Sequence, residues 1–427
     1  MSIAGAEVKL ERLTLIAVPY ELRGWMPRTV IFVAPVLDEY AVRFLRALVG
    51  LHDVRVLGVV HRVPPAPLRR LYADLVQTAH PLDAEEICDA VGMLVRKHGK
   101  PHRLVGALEA IQVQLAIARD RYRIPGLGEA VSTVFRDKSR MKDALRAAGL
   151  PVARHRILVT AADAHDFVAD VGLPVVLKPL DGVGAADTVR ATTLEEILDV
   201  LARRTSPVLA EEMLVGKEHS FEAVTVGGVP RASSFSDYLP ACLEVTEKPW
   251  IQWACVLPRE VETPLHEHVR EVGFAALRAL GFEDGMTHME WFEREDGSVV
   301  IGEIAQRPPG PQLLQTTGVV HDVDIHRVWA RAVVDGVFDG EWTRRWAAGT
   351  VFLRGEGSGR VRGVSGVRET NDVVAEWLVE AKLPHVGTAK NPSYEGDGYV
   401  VVRHPSTEGV KKLLGTVMQT LRVHYDA

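Results

Sequence analysis

Met286 to Gly310, MTHMEWFEREDGSVVIGEIAQRPPG, is the stretch whose reading decides the fold. Asp296-Gly297 is a strong hairpin signal, with apolar, strand-prone residues on both flanks. If that pair forms a two-residue loop, the numbers of paired residues sum to a constant, and Glu290 falls opposite Glu303. Carboxylates facing each other across a ladder, with Cβ atoms about 4.5–5.5 Å apart, repel unless a cation sits between them. Oxygen ligands on one face suit Mg2+, which takes one or two carboxylates and draws its remaining ligands from water and phosphate. A solvated sheet face is the plain alternative. Arg307, followed by Pro308-Pro309-Gly310, puts an anion-binding guanidinium beside the pair and favours a Mg-nucleotide site.

Upstream, Leu173 to Lys178 reads as an apolar strand ending at Lys178, followed by PLDGVGAADTVRA, a small-residue loop returning into another strand. Gly182 and Gly184 let backbone N–H groups approach phosphate oxygens, and Lys178 adds a point charge. This is not a Walker A loop, because the lysine precedes the glycines and the loop joins two strands. A flexible turn beside an exposed lysine is the competing reading. Further on, SPVLAEEMLVGKEHSFEAVTVGG reads as a strand, an acidic break and a second strand. Such a break offers backbone groups to an adenine edge, with Glu218 placed to accept hydrogen bonds from a ribose; a charged surface loop has the same composition. Lys138 follows Asp137 at the start of a helix ending near Ala148, before Gly149 and Pro151.

The 427 residues suffice for two or three domains. A net charge of −6 gives no basic footprint, so nucleic acid is not an expected partner. Cys88, Cys242 and Cys255 form no CxxC and leave one thiol over in any disulfide scheme, which fits a reducing, cytoplasmic setting. The apolar run Leu13 to Val18 is too short for a membrane span and is preceded by Glu7 and Glu11, so no signal peptide or membrane association is expected. From Thr29, TVIFVAP, EYAVRFLRALVG and VRVLGVV alternate strand, helix and strand, an α/β pattern without GxGxxG. Asp83 with Glu86 reads as a capping box, and Thr160 and Thr193 as N-caps on either side of LPVVLKP. After Arg345 come short strands, TVFLRG and YVVVRH, and an amphipathic helix from Glu408. No HExxH or GxSxG is present, His266-Glu267-His268 reads as a solvated segment, and Gly355 to Gly359 as a turn.

None of these pieces is decisive singly; their order is. Lys138, Lys178 with its glycine loop, Glu211 to Leu214, Glu218, Glu290, Glu303 and Arg307 together resemble the ATP-grasp superfamily. The resemblance is good from about Val131 to Gly340. It implies a multidomain protein of mixed α/β and α+β class: an N-terminal α/β domain over 1–130, an ATP-grasp core over 131–345 and a small C-terminal α+β domain over 346–427. By the resemblance, Lys138 and Lys178 contact the ATP phosphates, with Gly182 and Gly184 in the loop that closes over them. Glu211 to Leu214 form the hinge, adenine being read by backbone groups of Glu212 and Leu214, and Glu218 takes the ribose. Glu290 and Glu303 hold Mg2+, or Mn2+ in its place, and Arg307 steadies the acyl phosphate. A homodimer is implied by the resemblance alone.

Many relatives carry an asparagine two residues after the second metal glutamate, and here that residue is Ala305. The hairpin register sets His288 opposite Ala305, on the face of Glu290, where it lines the site unless it is merely packed. Tyr238, Trp250 and Trp253, in DYLPACLEVTEKPWIQWACVLP, either shape a pocket for an apolar or aromatic amino acid or belong to the core. The chemistry implied is that of a carboxylate–amine ligase: ATP phosphorylates a carboxylate, an amine displaces phosphate, and an amide or peptide bond forms between small molecules such as amino acids. The alternatives are formyl or carboxy transfer of the purine-biosynthesis type, a biotin-type carboxylase, and a noncatalytic ATP-binding protein. No residue stands out as the base that deprotonates the amine.

Overall fold

The computed structural model describes residues 27–180, 182, 188–204 and 206–426. The apolar run Leu13 to Val18, Gly184 and most of the loop Asp181 to Ala186 lie outside these residues. Three layers of structure frame the site. The first is a parallel sheet in the order Asp74–Gln77, Val54–Val60, Arg28–Ala34, Arg103–Val105. Its strands are apolar on both faces because helices cover both. Helices Ala84–His98 and Gln112–Tyr122 cover one face. Glu39–Val49 covers the other together with Ile325–Asp335, a helix from much later in the chain, where Phe44 meets Trp329 edge-on at 4.7 Å.

The second layer is a small antiparallel sheet in the order His155–Leu158, Val208–Glu212, Val175–Lys178, Val189–Ala191. Helices Ala161–Val171 and Leu194–Arg203 pack on one face of it, each opened by a full capping box at Thr160 and Thr193. At Asp83 only half of the expected box forms. Asp83 accepts from the Glu86 N–H, but the Glu86 carboxylate turns instead to Thr78 and His80.

The third layer is an eight-stranded antiparallel sheet in the order Val299–Ala305, Gly285–Glu293, Lys217–Val226, Val229–Leu239, Trp253–Leu257, Ala347–Leu353, Gly398–His404, Leu378–Lys382. Three strands after residue 345 therefore continue the sheet that carries the glutamates, while Ser358–Ser365 and Arg422–Asp426 pair with each other as a separate two-stranded sheet. The other face of those three is packed by helix Thr407–Thr420.

The decisive hairpin differs from expectation at its tip. Arg294 and Ser298 close a three-residue loop, with Gly297 at φ 77°, in place of a two-residue turn at Asp296-Gly297. That shifts the register by one residue near the tip, where Glu293 pairs with Val299. A bulge restores it: Trp291 pairs with Ile301, Gly302 is left over, and Glu290 then faces Glu303 and His288 faces Ala305 as expected.

Candidate active site

Alternation along Lys217–Val226 puts Glu218, Ser220 and Glu222 on one face of the sheet and Phe221 and Ala223 on the other. The neighbouring ladder sets Phe292 against Glu218, Glu290 against Ser220 and His288 against Glu222. Glu303 and Ala305 extend the same surface. On the opposite face Phe221, Met289, Trp291 and Ile304 join a core with Met141 and Leu145. One polar face, made by period-two alternation in three strands, walls a cavity of about 390 Å3 together with Lys138, Lys178, Glu211 to Gly216 and Arg307.

Cations enter from two elements. Lys138 lies one helical turn before Lys142 on Lys138–Ala147, a helix capped by the Asp137 carboxylate. Lys138 Nζ is 2.9 Å from Glu303 Oε1 and donates to the Gly182 carbonyl at 2.8 Å. Lys142, wholly buried, donates to the carbonyl of the bulged Gly302 at 2.5 Å and lies 3.3 Å from Glu211 Oε1. Lys178 Nζ is 2.8 Å from Glu211 Oε2. Burial alone would raise the Glu211 carboxyl, but the two ammonium groups outweigh it and hold the group below its usual value. Burial lowers Lys142, whereas Glu211 and Glu303 outweigh burial at Lys178 and hold it above its usual value.

His288 is buried with Nδ1 3.0 Å from Glu222 Oε1, and its Nε2 faces Glu290 Oε1 at 3.8 Å and the Tyr238 hydroxyl at 3.5 Å. Burial opposes its charge, yet the two carboxylates prevail and push its pKa up to about 9. Glu290 is pushed up by burial and pulled down further by His288, ending below the usual carboxylate range. Glu218 accepts the Cys242 N–H at 2.7 Å; burial, then Glu290, push it up to about 7.

Arg307 is held by Glu109, whose Oε2 accepts from Nε at 3.0 Å, and donates NH1 to the Pro308 carbonyl. Glu109 comes from the short turn after Arg103–Val105, so the first layer of the fold reaches the cavity. Elsewhere in the wall Trp253 stacks on Phe352 at 4.3 Å and donates Nε1–H to the Tyr394 carbonyl at 2.7 Å. Tyr238, Trp253, Leu313, Phe352 and Tyr394 give the cavity an apolar lobe.

The residues singled out from sequence thus gather at one cavity: Lys138, Lys178, Gly182, Glu211, Glu212, Leu214, Glu218, Tyr238, Trp253, His288, Glu290, Glu303 and Arg307 all line it. Tyr238 and Trp253 belong to both wall and core. Trp250 is 45% exposed and is not part of that wall. The Glu212 side chain is bound by Arg154, and its N–H serves the Arg154 carbonyl. Among the described residues no cluster of three His, Cys, Asp or Glu is drawn up around a metal-sized point. Sequence reading missed Lys142, Glu109, Glu222, Tyr394 and Glu395. The four-residue spacing from Lys138 marked Lys142, and the polar alternation Glu218, Ser220, Glu222 in an apolar strand marked Glu222. Nothing local marked the others.

The chain is similar to several known proteins. Residues 143–310 match the model of the ATP-grasp domain. An L-arginine-specific L-amino acid ligase of Bacillus subtilis is 24% identical over 60% of this chain and 63% of its own length. A D-alanine–D-alanine ligase of Frankia casuarinae is 28% identical over 49% of this chain and 59% of its own. The chain thus spans about six-tenths of the length of these curated relatives. Among solved structures, an L-amino acid ligase from Bacillus licheniformis superposes with TM-score 0.77 at 17% identity, covering 94% of this chain and 100% of that one. An N5-carboxyaminoimidazole ribonucleotide synthetase from Thermotoga maritima gives 0.70 at 17%, covering 93% and 100%. No helix among the described residues is long and apolar enough to cross a membrane. Residues 143–310 thus match the ATP-grasp domain, in a chain that shares the fold of these solved structures.

Proposed function

We propose that this protein is an ADP-forming ligase that joins a carboxylate to an amine through an acyl phosphate, with small molecules such as amino acids as its substrates. The observation that carries this reading is the meeting of Glu290, Glu303, Lys138, Lys178 and Arg307 at one cavity that also has an apolar lobe. The polar residues of the wall suit a Mg-nucleotide and the apolar lobe suits an organic substrate. We further propose the division into parts at about residues 130 and 345, with all three contributing to the site.

In this reading the hinge Glu211 to Leu214 receives adenine and Glu218 the ribose. Lys138 and Lys178 carry the phosphates, and Lys142 and Glu211 act behind them: Glu211 is held from both sides and fixes where the Lys178 ammonium sits. The donor set fits Mg2+ or Mn2+. Glu290 and Glu303 are hard oxygen donors, and among the described residues the only ion-pair contact of Glu290 is His288 at 3.8 Å, which leaves it acceptor capacity. The two glutamates would hold the ion, which supplies neutralisation of phosphate charge. Arg307, oriented by Glu109, steadies the substrate carboxylate as it takes the phosphoryl group. The apolar lobe excludes water from an intermediate that water would destroy.

The test is release of ADP from Mg-ATP across a matrix of amino acids and small carboxylates, singly and in pairs, with Glu303→Ala as control. Release that needs two partners and vanishes in the control supports the ligase. Release with bicarbonate or formate alone would move the reading to a carboxylase or transformylase.

A further inference from the structure

A ligase of this kind needs a group that takes a proton from the incoming ammonium, and the inference below rests on the ligase reading. The loop between Leu378–Lys382 and Gly398–His404 brings Tyr394 and Glu395 into the cavity wall. The loop is anchored on both sides of this pair. The Tyr394 carbonyl accepts the Trp253 indole N–H, and Asn391 is tied to the Asp397 carboxylate and the Gly396 carbonyl.

The acids in the wall differ in what they already hold. Glu109 is engaged by Arg307 and Arg136, Glu211 by two lysines, and Glu212 by Arg154 and Arg294. Glu218 takes the Cys242 N–H, Glu303 the Lys138 ammonium, and Glu290 faces His288. Glu395 is half-buried, and among the described residues its carboxylate has neither hydrogen bond nor ion pair. Among the described residues of the wall it is the uncommitted carboxylate, and its electrostatic neighbours include Arg307, the residue read as steadying the acyl group.

We propose that Glu395 is the base that binds and deprotonates the amine substrate. The Glu395 carboxylate takes one proton from R–NH3+, leaving a free amine lone pair. That pair attacks the acyl carbon, the C–N bond forms, and the C–O bond to phosphate breaks with its electrons going to phosphate. The second nitrogen proton leaves on the departing phosphate, and Glu395 returns its own proton to solvent. Burial, then Asp38, push the Glu395 carboxyl up, while Lys382 and Arg307 pull it down; the net is upward, toward the range in which a general base works. The other groups facing this end are Glu109, paired with Arg307, and Tyr40 and Tyr394, both kept neutral by burial.

The experiment compares wild type, Glu395→Gln and Glu395→Asp with the proteinogenic amino acids as carboxylates and amines. Hydroxylamine, largely unprotonated at neutral pH, serves as a nucleophile that needs no base and traps the acyl phosphate as hydroxamate. Amide formation by Glu395→Gln is expected to fall by about 10²-fold or more, with hydroxamate formed at the wild-type rate. Its residual amide rate should climb about tenfold per pH unit as free amine accumulates, and Glu395→Asp should recover part of the loss. Parallel loss of amide and hydroxamate, or unchanged amide formation, would overturn the assignment. Absence of hydroxamate from the wild type would instead remove the ligase reading, and the base with it.

Discussion

Glu290 faces Glu303 across the ladder between Gly285–Glu293 and Val299–Ala305, and the residue that makes this alignment possible is the bulged Gly302. A Cβ there would lie 3.1 Å from the Phe292 ring and 3.2 Å from the Glu290 carbonyl, so a side chain would press on the strand that carries Glu290. The freed Gly302 carbonyl is taken by Lys142.

Replacing Glu303 with Ala should lower ADP release by about 10²–10³-fold, the scale of losing one preorganised electrostatic contact to transferring phosphate. Lys138 also loses its carboxylate partner. The thermal unfolding midpoint should fall modestly, because the buried Lys138 ammonium loses this partner but keeps its hydrogen bond to the Gly182 carbonyl. Steady-state turnover beside a melting curve separates the two effects, and retained turnover would remove Glu303 from the site.

Lys142→Met should destabilise the fold by about 3–5 kcal/mol, since it leaves buried Glu211 with Lys178 alone and the Gly302 carbonyl without its donor. Urea unfolding measures the loss. Adding Glu211→Gln should recover part of it, and an unshifted midpoint for Lys142→Met would show that the pair does not stabilise the protein.

For His288 the folded value of about 9 lies above the usual 6.5, so the protonated form is the one the fold prefers. Its contribution is fully present below about pH 6.5 and is lost as pH rises through about 9, on the order of 3 kcal/mol in all. Nucleotide-free wild type should therefore melt progressively lower over that window. His288→Ala should melt lower at pH 6 and show a flatter profile. An equally steep profile in the variant would assign the pH dependence to other groups.

Trp253→Phe should cost about 1 kcal/mol for the lost hydrogen bond to the Tyr394 carbonyl and widen the apolar lobe. The amino acid with the highest kcat/KM should shift toward a larger side chain, with KM for ATP unchanged. The Ala variant is a poorer probe, because removing a buried Trp costs about 3–5 kcal/mol and risks the fold itself.

The pairing of Glu290 with Glu303 was legible before any coordinates, although the loop that seemed to fix it has one residue more than expected. Two departures cancel, the longer loop and the bulge, because burying Trp291 and Ile301 on the core face fixes which side chains face the site. Local chemistry also sufficed for the caps at Thr160 and Thr193 and for the polar face of the glutamate strands. Period and capping act over a few residues, so the sequence by itself determined these. Tertiary structure alone decided which residues complete the cavity. Glu109 reaches Arg307 across 198 residues, and Tyr394 meets Trp253 across 141. No sequence period spans such distances; contacts of this kind exist only once separate hydrophobic cores have packed and brought distant loops together.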